Sequence, residues 1–404
     1  MIKLRGYQQI LSNEIFDAWA GGLDNVLGIL PTGGGKCLGR GTPVLMFSGE
    51  VKNVEDVKVG DLVMGPDSTP RFVSGVTSGK ETLYRVTPVK GAPYVVNESH
   101  ILSFKETGSY LIKNVGVREY LDTSKNWKHL HKGWRTGVEF TQKSYSATLP
   151  PYFLGLWLGD GDSDGPKITT ADVEIVDYLF DFAKKTGQAM RIEDYPNNRS
   201  NGYALSNNYQ RIGTREDLKT LNLFKNKHIP LVYKTGDRAQ RLELLAGLVD
   251  SDGHFDGKNI DIVFKNKTLS DDVAYVARSL GLAAYPKLCV KTCTNTGVKG
   301  EYYRMSISGD FSEIPTKLER NVFKPRAQKK SVLMTGVSLE NIGVGEYFGF
   351  SLQGPDRLFL LGDFTVTHNT ATFSDIILKR DAPSCAIAHR QELVGQISTA
   401  LARN

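Results

Sequence analysis

Residues 31–36 read Pro-Thr-Gly-Gly-Gly-Lys, and a Cys follows. A glycine-rich turn closed by Lys suits a phosphate group. Its backbone N–H groups approach the oxygens closely, and the ammonium neutralises their charge. Such a turn needs Ser or Thr directly after the Lys, because that hydroxyl ligates Mg²⁺. Cys37 breaks the pattern. The missing hydroxyl stands at Thr370, behind His368 and Asn369. Joining Lys36 to Thr370 restores NVLGILPTGGGKTATFSDIILKR. That string is a short apolar strand at 25–30, a turn holding Gly33, Gly35 and Lys36, and a segment of helical spacing opened by Thr370. It departs from the general pattern once, at Leu30, where a Gly is usual.

The joined flanks resemble the start of a superfamily 2 helicase of the DEAD/DEAH-like kind. Leu4-Arg5-Gly6-Tyr7-Gln8 is similar to the segment that contacts adenine, which makes Gln8 a candidate nucleotide contact. Residues 385–393, CAIAHRQEL, resemble the next helicase motif. The resemblance implies ATP and Mg²⁺ as cofactors of the joined host.

The two edges of the interruption, Cys37 and His368-Asn369 with Thr370 beyond, resemble the splice junctions of an intein. The implied chemistry is autocatalytic and needs no cofactor. The Cys37 sulfur attacks the Lys36 carbonyl and gives a thioester. The Thr370 hydroxyl takes over the acyl group. Asn369 cyclises on its own carbonyl, which releases Thr370, and an O-to-N shift leaves Lys36 joined to Thr370. Fixed geometry supplies about 7–11 kcal/mol of such intramolecular barriers. The resemblance also implies helpers. In YVVNESHIL, His100 matches the His that polarises the first scissile amide. Asn97, in the place of the usual Thr, is expected to donate to the scissile carbonyl. His368 is the penultimate His that assists cyclisation. The last block departs twice, with Gly349 in place of an acid and Leu358 in place of a His; Asp363 is a candidate substitute for the acid.

Two further stretches repeat: FLGLWLGDGDSDG at 153–165 and LAGLVDSDGHFDG at 245–257. Each reads as an apolar helix with small residues, ending in Asp-Gly. The second nearly spells LAGLIDADG, and together they resemble the paired motifs of a homing endonuclease. Gly155 and Gly247 let the two helices approach closely. Their C-terminal ends then bring Asp160 and Asp252 together as a hard-metal site for Mg²⁺. The implied reaction is metal-assisted hydrolysis of both strands of duplex DNA, the substrate being the uninterrupted host gene. The family adds a Lys in each half, Lys225 or Lys227 and Lys324 or Lys329. Two basic runs, 125–137 with Trp127 and Trp134, and 315–330, are candidate DNA contacts.

These residues require particular elements. Runs at 43–47, 61–65, 71–79, 82–88 and 94–104 alternate and are broken by turn residues, as strands are. Residues 331–369 read as strands again. Helical spacing recurs at 172–187 and 271–284 after each repeat. The expected architecture is multidomain α+β. An all-β horseshoe splicing domain of the Hint type is interrupted by a pseudo-two-fold, mixed α/β LAGLIDADG endonuclease, between short helicase flanks. The boundaries are 1–36, 37–148, 149–330, 331–369 and 370–404. The chain of 404 residues with net charge +6 permits a nucleic-acid partner without demanding one. Four cysteines build no disulfide framework. No apolar run reaches bilayer length, and a cytoplasmic monomer is expected. Two readings compete. One is a helicase with a loop that never leaves, which Lys36-Cys37 argues against. The other is a splicing element with a decayed nuclease, which intact Asp160 and Asp252 argue against.

Overall fold

The computed structural model describes residues 13, 16–22, 37–140, 148–195, 200–207, 213–292, 299–325, 330–353 and 356–368. The described residues fall into two compact units, one within 1–47, 51–134 and 336–404, the other within 48–50 and 135–335. The division falls at Trp134/Arg135 and Thr335/Gly336, whereas the sequence led to boundaries at 148/149 and 330/331. Among the described residues no helix is long and apolar enough to cross a membrane.

The first unit is built mostly of strands. In chain order these are β1 (Leu38–Gly39), β2 (Pro43–Leu45), β3 (Val51–Asn53), β4 (Leu62–Met64), β5 (Pro70–Pro88), β6 (Tyr94–Asn97), β7 (Ile101–Glu106), β8 (Ile112–Gly116) and β9 (His131–Trp134). The late strands are β19 (Val337–Gln353), β20 (Leu358–Leu360) and β21 (Val366–His368). Two short helices, α1 (Val117–Asp122) and α2 (Lys125–Leu130), precede β9. The spine is an antiparallel ladder running from Phe72↔Gln353 to Pro88↔Val337. Register shifts at Asn341/Val344 and Ser351/Leu352 bend it, as bulges do. The sequence divides β5 into two runs at Ser-Gly; the structure makes it one strand. Gly79 does not turn the chain. It lies opposite Tyr347, and a Cβ there would sit 2.5 Å from the Tyr347 hydroxyl. The glycine leaves room for a ring. Alternating Val and Leu side chains, Val44, Val63, Val73, Val86 and Val96 with Leu38 and Leu102, close a core with Phe104, Phe350 and Phe359.

The second unit contains two copies of one pattern. The first is α3 (Pro151–Asp160), β10 (Lys167–Thr170), α4 (Val173–Thr186), β11 (Ala189–Glu193) and β12 (Asn201–Ser206). Helices α5 (Thr214–Thr220) and α6 (Leu231–Lys234) connect it to the second. There follow α7 (Arg238–Asp252), β13 (His254–Phe255), β14 (Ile260–Phe264), α8 (Lys267–Ser279), β15 (Ala283–Ala284), β16 (Lys287–Thr292) and β17 (Lys299–Ser308), with β18 (Met334–Thr335) at the end. The sheets correspond. β12 lies between β10 and β11, and β17 pairs with both β14 and β16. Helices α3 and α7 form the centre, and both are almost wholly buried along their apolar residues. They meet backbone to backbone. A Cβ on Gly155 would lie 2.3 Å from the Leu244 carbonyl oxygen, and one on Gly247 would lie 2.2 Å from that of Tyr152. No residue larger than glycine fits at either place.

Candidate active sites

Gln8, Gly33, Gly35, Lys36, Asn369, Thr370 and Lys329 lie outside the described residues. The remaining candidates form two groups, one in each unit.

In the first unit, Cys37 enters β1, which is held between β6 and β19 through Leu38↔Val96 and Leu38↔Phe348. The Cys37 side chain is buried. Its sulfur fills the space above Gly349, where a Cβ would lie only 2.4 Å from Sγ. The Cys37 N–H donates to Asn97 Oδ1 at 2.9 Å, and the Asn97 N–H donates to the Cys37 carbonyl at 3.1 Å. Asn97 was expected to donate to the carbonyl of the preceding residue. Here its side chain accepts from the amide of that same peptide bond, because its Nδ2 is taken by Glu81 Oε2 at 2.6 Å. One turn on, the His100 N–H donates to the Asn97 carbonyl. His100 Nε2 and Thr367 Oγ1 are 2.7 Å apart, and both residues are buried. Thr367 lies in β21, immediately before His368. The segment 97–100 therefore grips residue 37 at one end and residue 367 at the other.

His368 lies opposite Leu358 in the β20–β21 ladder, and Leu358 is buried. The carboxylate of Asp363 accepts from the Thr365 N–H at 3.1 Å and so closes the turn between these strands. Sequence reasoning missed Glu81 and Thr367. Neither belongs to a motif, and only the strand register brings them to Asn97 and His100.

In the second unit, Asp160 and Asp252 end α3 and α7, the two glycine-packed helices. Burial and then the Asp252 charge push the Asp160 carboxyl up to about 6. Burial also raises Asp252, with Lys227 opposing. Of the paired lysine candidates, Lys227 belongs here. Its ammonium donates to the carbonyls of Leu158, Gly159 and Gly161 at 3.0, 3.0 and 2.8 Å, at the negative end of α3. Burial lowers its proton affinity, and Asp252 and Asp160 pull it back. Lys225 is exposed and lies 3.6 Å from Asp164; Lys324 is exposed. Among the described residues no group of three or more His, Cys, Asp or Glu is placed to hold a metal. Two facing carboxylates with strengthened proton affinity, offset by one ammonium, still suit a hard divalent cation that takes its other ligands from water and phosphate.

Part of each basic run serves packing. Lys317 lies 4.8 Å from the Tyr152 ring centroid, and its N–H donates to buried Asp250, which also binds Tyr152 and Asn321. Arg320 pairs with Asp172. Trp127 stacks on His131 at 4.0 Å, and Trp134 Nε1 donates to Ser103. These indoles belong to the splicing core, contrary to the expectation that they extend a DNA-binding face.

Residues 37–146 match the family model of the Hom_end-associated Hint, and residues 228–314 match that of the homing endonuclease. The chain joins a Hint splicing domain to a LAGLIDADG endonuclease domain. These two matches, a Hint domain followed by a homing endonuclease domain, are the parts of which an intein with a resident nuclease is built. A curated relative is the replicative DNA helicase DnaB of Mycobacterium intracellulare, 30% identical over 276 residues, 62% of this chain and 43% of the relative. Another is the catalytic polypeptide of the V-type proton ATPase of Candida tropicalis, 30% identical over 118 residues, 26% of this chain and 11% of the relative. The chain thus spans less than half the length of the relatives it matches. The helicase relative is of the DnaB kind, which corrects the superfamily 2 assignment. Its matched stretch far exceeds the two flanks together, so the intein carries most of the likeness. Similar solved structures include mesophilic variants of the homing endonuclease I-DmoI, with TM-score 0.29, 17% identity and coverage of 41% of this chain and 85% of that one. I-DmoI in complex with DNA and Mn has TM-score 0.28, 16% identity and coverage of 39% and 88%. The gp41-1 intein has TM-score 0.17, 20% identity and coverage of 20% and 73%.

Proposed function

We propose that the intein excises residues 37–369 and joins Lys36 to Thr370. The observation that carries this is the 97–100 segment, whose Asn97 holds the Cys37 amide while His100 holds Thr367. In the first step the Cys37 sulfur bonds to the Lys36 carbonyl carbon, the C–N bond breaks, and the thiol proton passes to the departing Cys37 nitrogen. Asn97 Oδ1 accepts from that nitrogen and favours its change from amide to amine. Thr370 then receives the acyl group. His368 assists Asn369 in closing its succinimide, and His100 holds the strand that delivers them. Freshly expressed chain is expected to give a 71-residue product, 1–36 joined to 370–404, and free intein. An unprocessed chain as the sole product would contradict the proposal. Asn369→Ala should keep the C-terminal flank attached and still allow dithiothreitol to cleave after Lys36.

For the second unit we propose cleavage of both strands of duplex DNA at the host gene's uninterrupted site. Asp160 and Asp252 would hold a divalent cation, Mg²⁺ being the natural choice; such an ion activates water and shields phosphate charge. Lys227 keeps a positive charge beside the developing negative one. The joined host is read at the level of a helicase that binds ATP and Mg²⁺ through Gly33, Gly35, Lys36 and Thr370. The phosphate-binding string that joining Lys36 to Thr370 restores supports that class. We also propose that the protein works as a monomer in the cytoplasm.

A further inference from the structure

We propose that Glu81 is a positioning residue for the first acyl transfer, acting through Asn97; this rests on the splicing mechanism above. The amide of Asn97 has an accepting end and a donating end of nearly equal shape. Only one orientation lets Oδ1 meet the Cys37 N–H. The reverse would set the Asn97 NH₂ against that N–H, donor against donor. Glu81 decides between them. Its carboxylate offers acceptors alone, and Oε2 lies 2.6 Å from Asn97 Nδ2. The Ser99 hydroxyl donates to the other oxygen at 2.8 Å and holds the carboxylate in place. Glu81 itself is fixed in β5 opposite Gly345 of β19. The line Glu81–Asn97–Cys37 is therefore polarised in one direction. The negative carboxylate draws on the amide N–H, the Asn97 oxygen gains electron density, and it accepts more strongly from the nitrogen that must leave as an amine. No acid stands at Gly349, where a Cβ would lie 2.4 Å from Sγ. Glu81 brings a carboxylate to the junction from the neighbouring strand.

The test separates the two ends of the reaction in the full-length chain. In an Asn369→Ala background, dithiothreitol cleavage after Lys36 reads the first step. In a Cys37→Ala background, release of the C-terminal flank reads Asn369 cyclisation. Glu81→Ala is expected to slow the first by roughly tenfold or more, and to change the second by less than about twofold. Glu81→Gln keeps the shape and loses the charge, so it should fall between parent and Glu81→Ala. Adding Glu81→Ala to Asn97→Ala should cost nothing further, since the two act as one unit. Equal slowing of both ends, no slowing of either, or full additivity with Asn97→Ala each overturns the proposal. Failure of the parent Asn369→Ala chain to cleave would instead refute the splicing mechanism on which it rests.

Discussion

At Asp160, burial and the neighbouring Asp252 carboxylate oppose the negative charge, so the carboxyl titrates at about 6 against an ordinary 3.8. The folded state therefore disfavours the ionised form. Above pH 6 that penalty is complete. It shrinks as the pH falls through about 6 and is gone below the unfolded value near 3.8. Without metal, Asp160→Asn should stabilise the endonuclease unit by roughly 2 kcal/mol at pH 8 and leave it unchanged near pH 4. Urea unfolding of variant and parent in chelator across that range measures the difference; a variant less stable than the parent at pH 8 would contradict it. The acid itself was legible in the sequence, because it sits at a fixed place in a repeated motif. So were Cys37, His100 and His368, at the edges and block of a broken motif. The direction of the Asn97 hydrogen bond was not legible. It depends on Glu81, and nothing in a linear string links positions 81 and 97.

At the scale of elements, the glycines show what spacing reveals and what it hides. Gly155 and Gly247 recur in matched apolar stretches, and their packing was readable from that repetition alone. Gly79 looked the same in composition but serves a cross-strand ring. Its partner Tyr347 arrives from far along the chain, so local reading took the glycine for a turn. Gly247→Ala should cost about 2–4 kcal/mol, because the new methyl meets the Tyr152 carbonyl rather than a yielding side chain. The expected outcome is a lower thermal midpoint for the endonuclease unit and lost DNA cleavage with splicing retained. Loss of splicing as well would show that the first unit depends on the second. The tryptophans of the 125–137 run misled for the opposite reason. Interleaved cations and indoles read as a nucleic-acid face, yet Trp134 is buried with Lys105 over its ring at 3.6 Å.

At the scale of the whole molecule, the interruption of one domain by another was visible because two strand-rich stretches flank a helical repeat. The point of division was harder to see, since β9 carries little periodicity and pairs with β7 although β8, α1 and α2 intervene in the chain. The two chain crossings lie side by side, for the Arg135 N–H donates to the Leu333 carbonyl at 2.9 Å. Replacing 135–335 by a short Gly-Ser linker should therefore preserve splicing at a rate within about tenfold of the parent. Electrophoresis of the expressed deletion chain measures this, and an unspliced product from a folded protein would contradict it. The ladder of β5 with β19 carries a last consequence, one of timing. On the ribosome, Cys37 emerges some three hundred residues before the strand that flanks it and the glycine beneath its sulfur. A nascent or stalled chain thus holds an idle thiol, and the flank ahead of it is safe from premature hydrolysis until synthesis has delivered the strand that arms it.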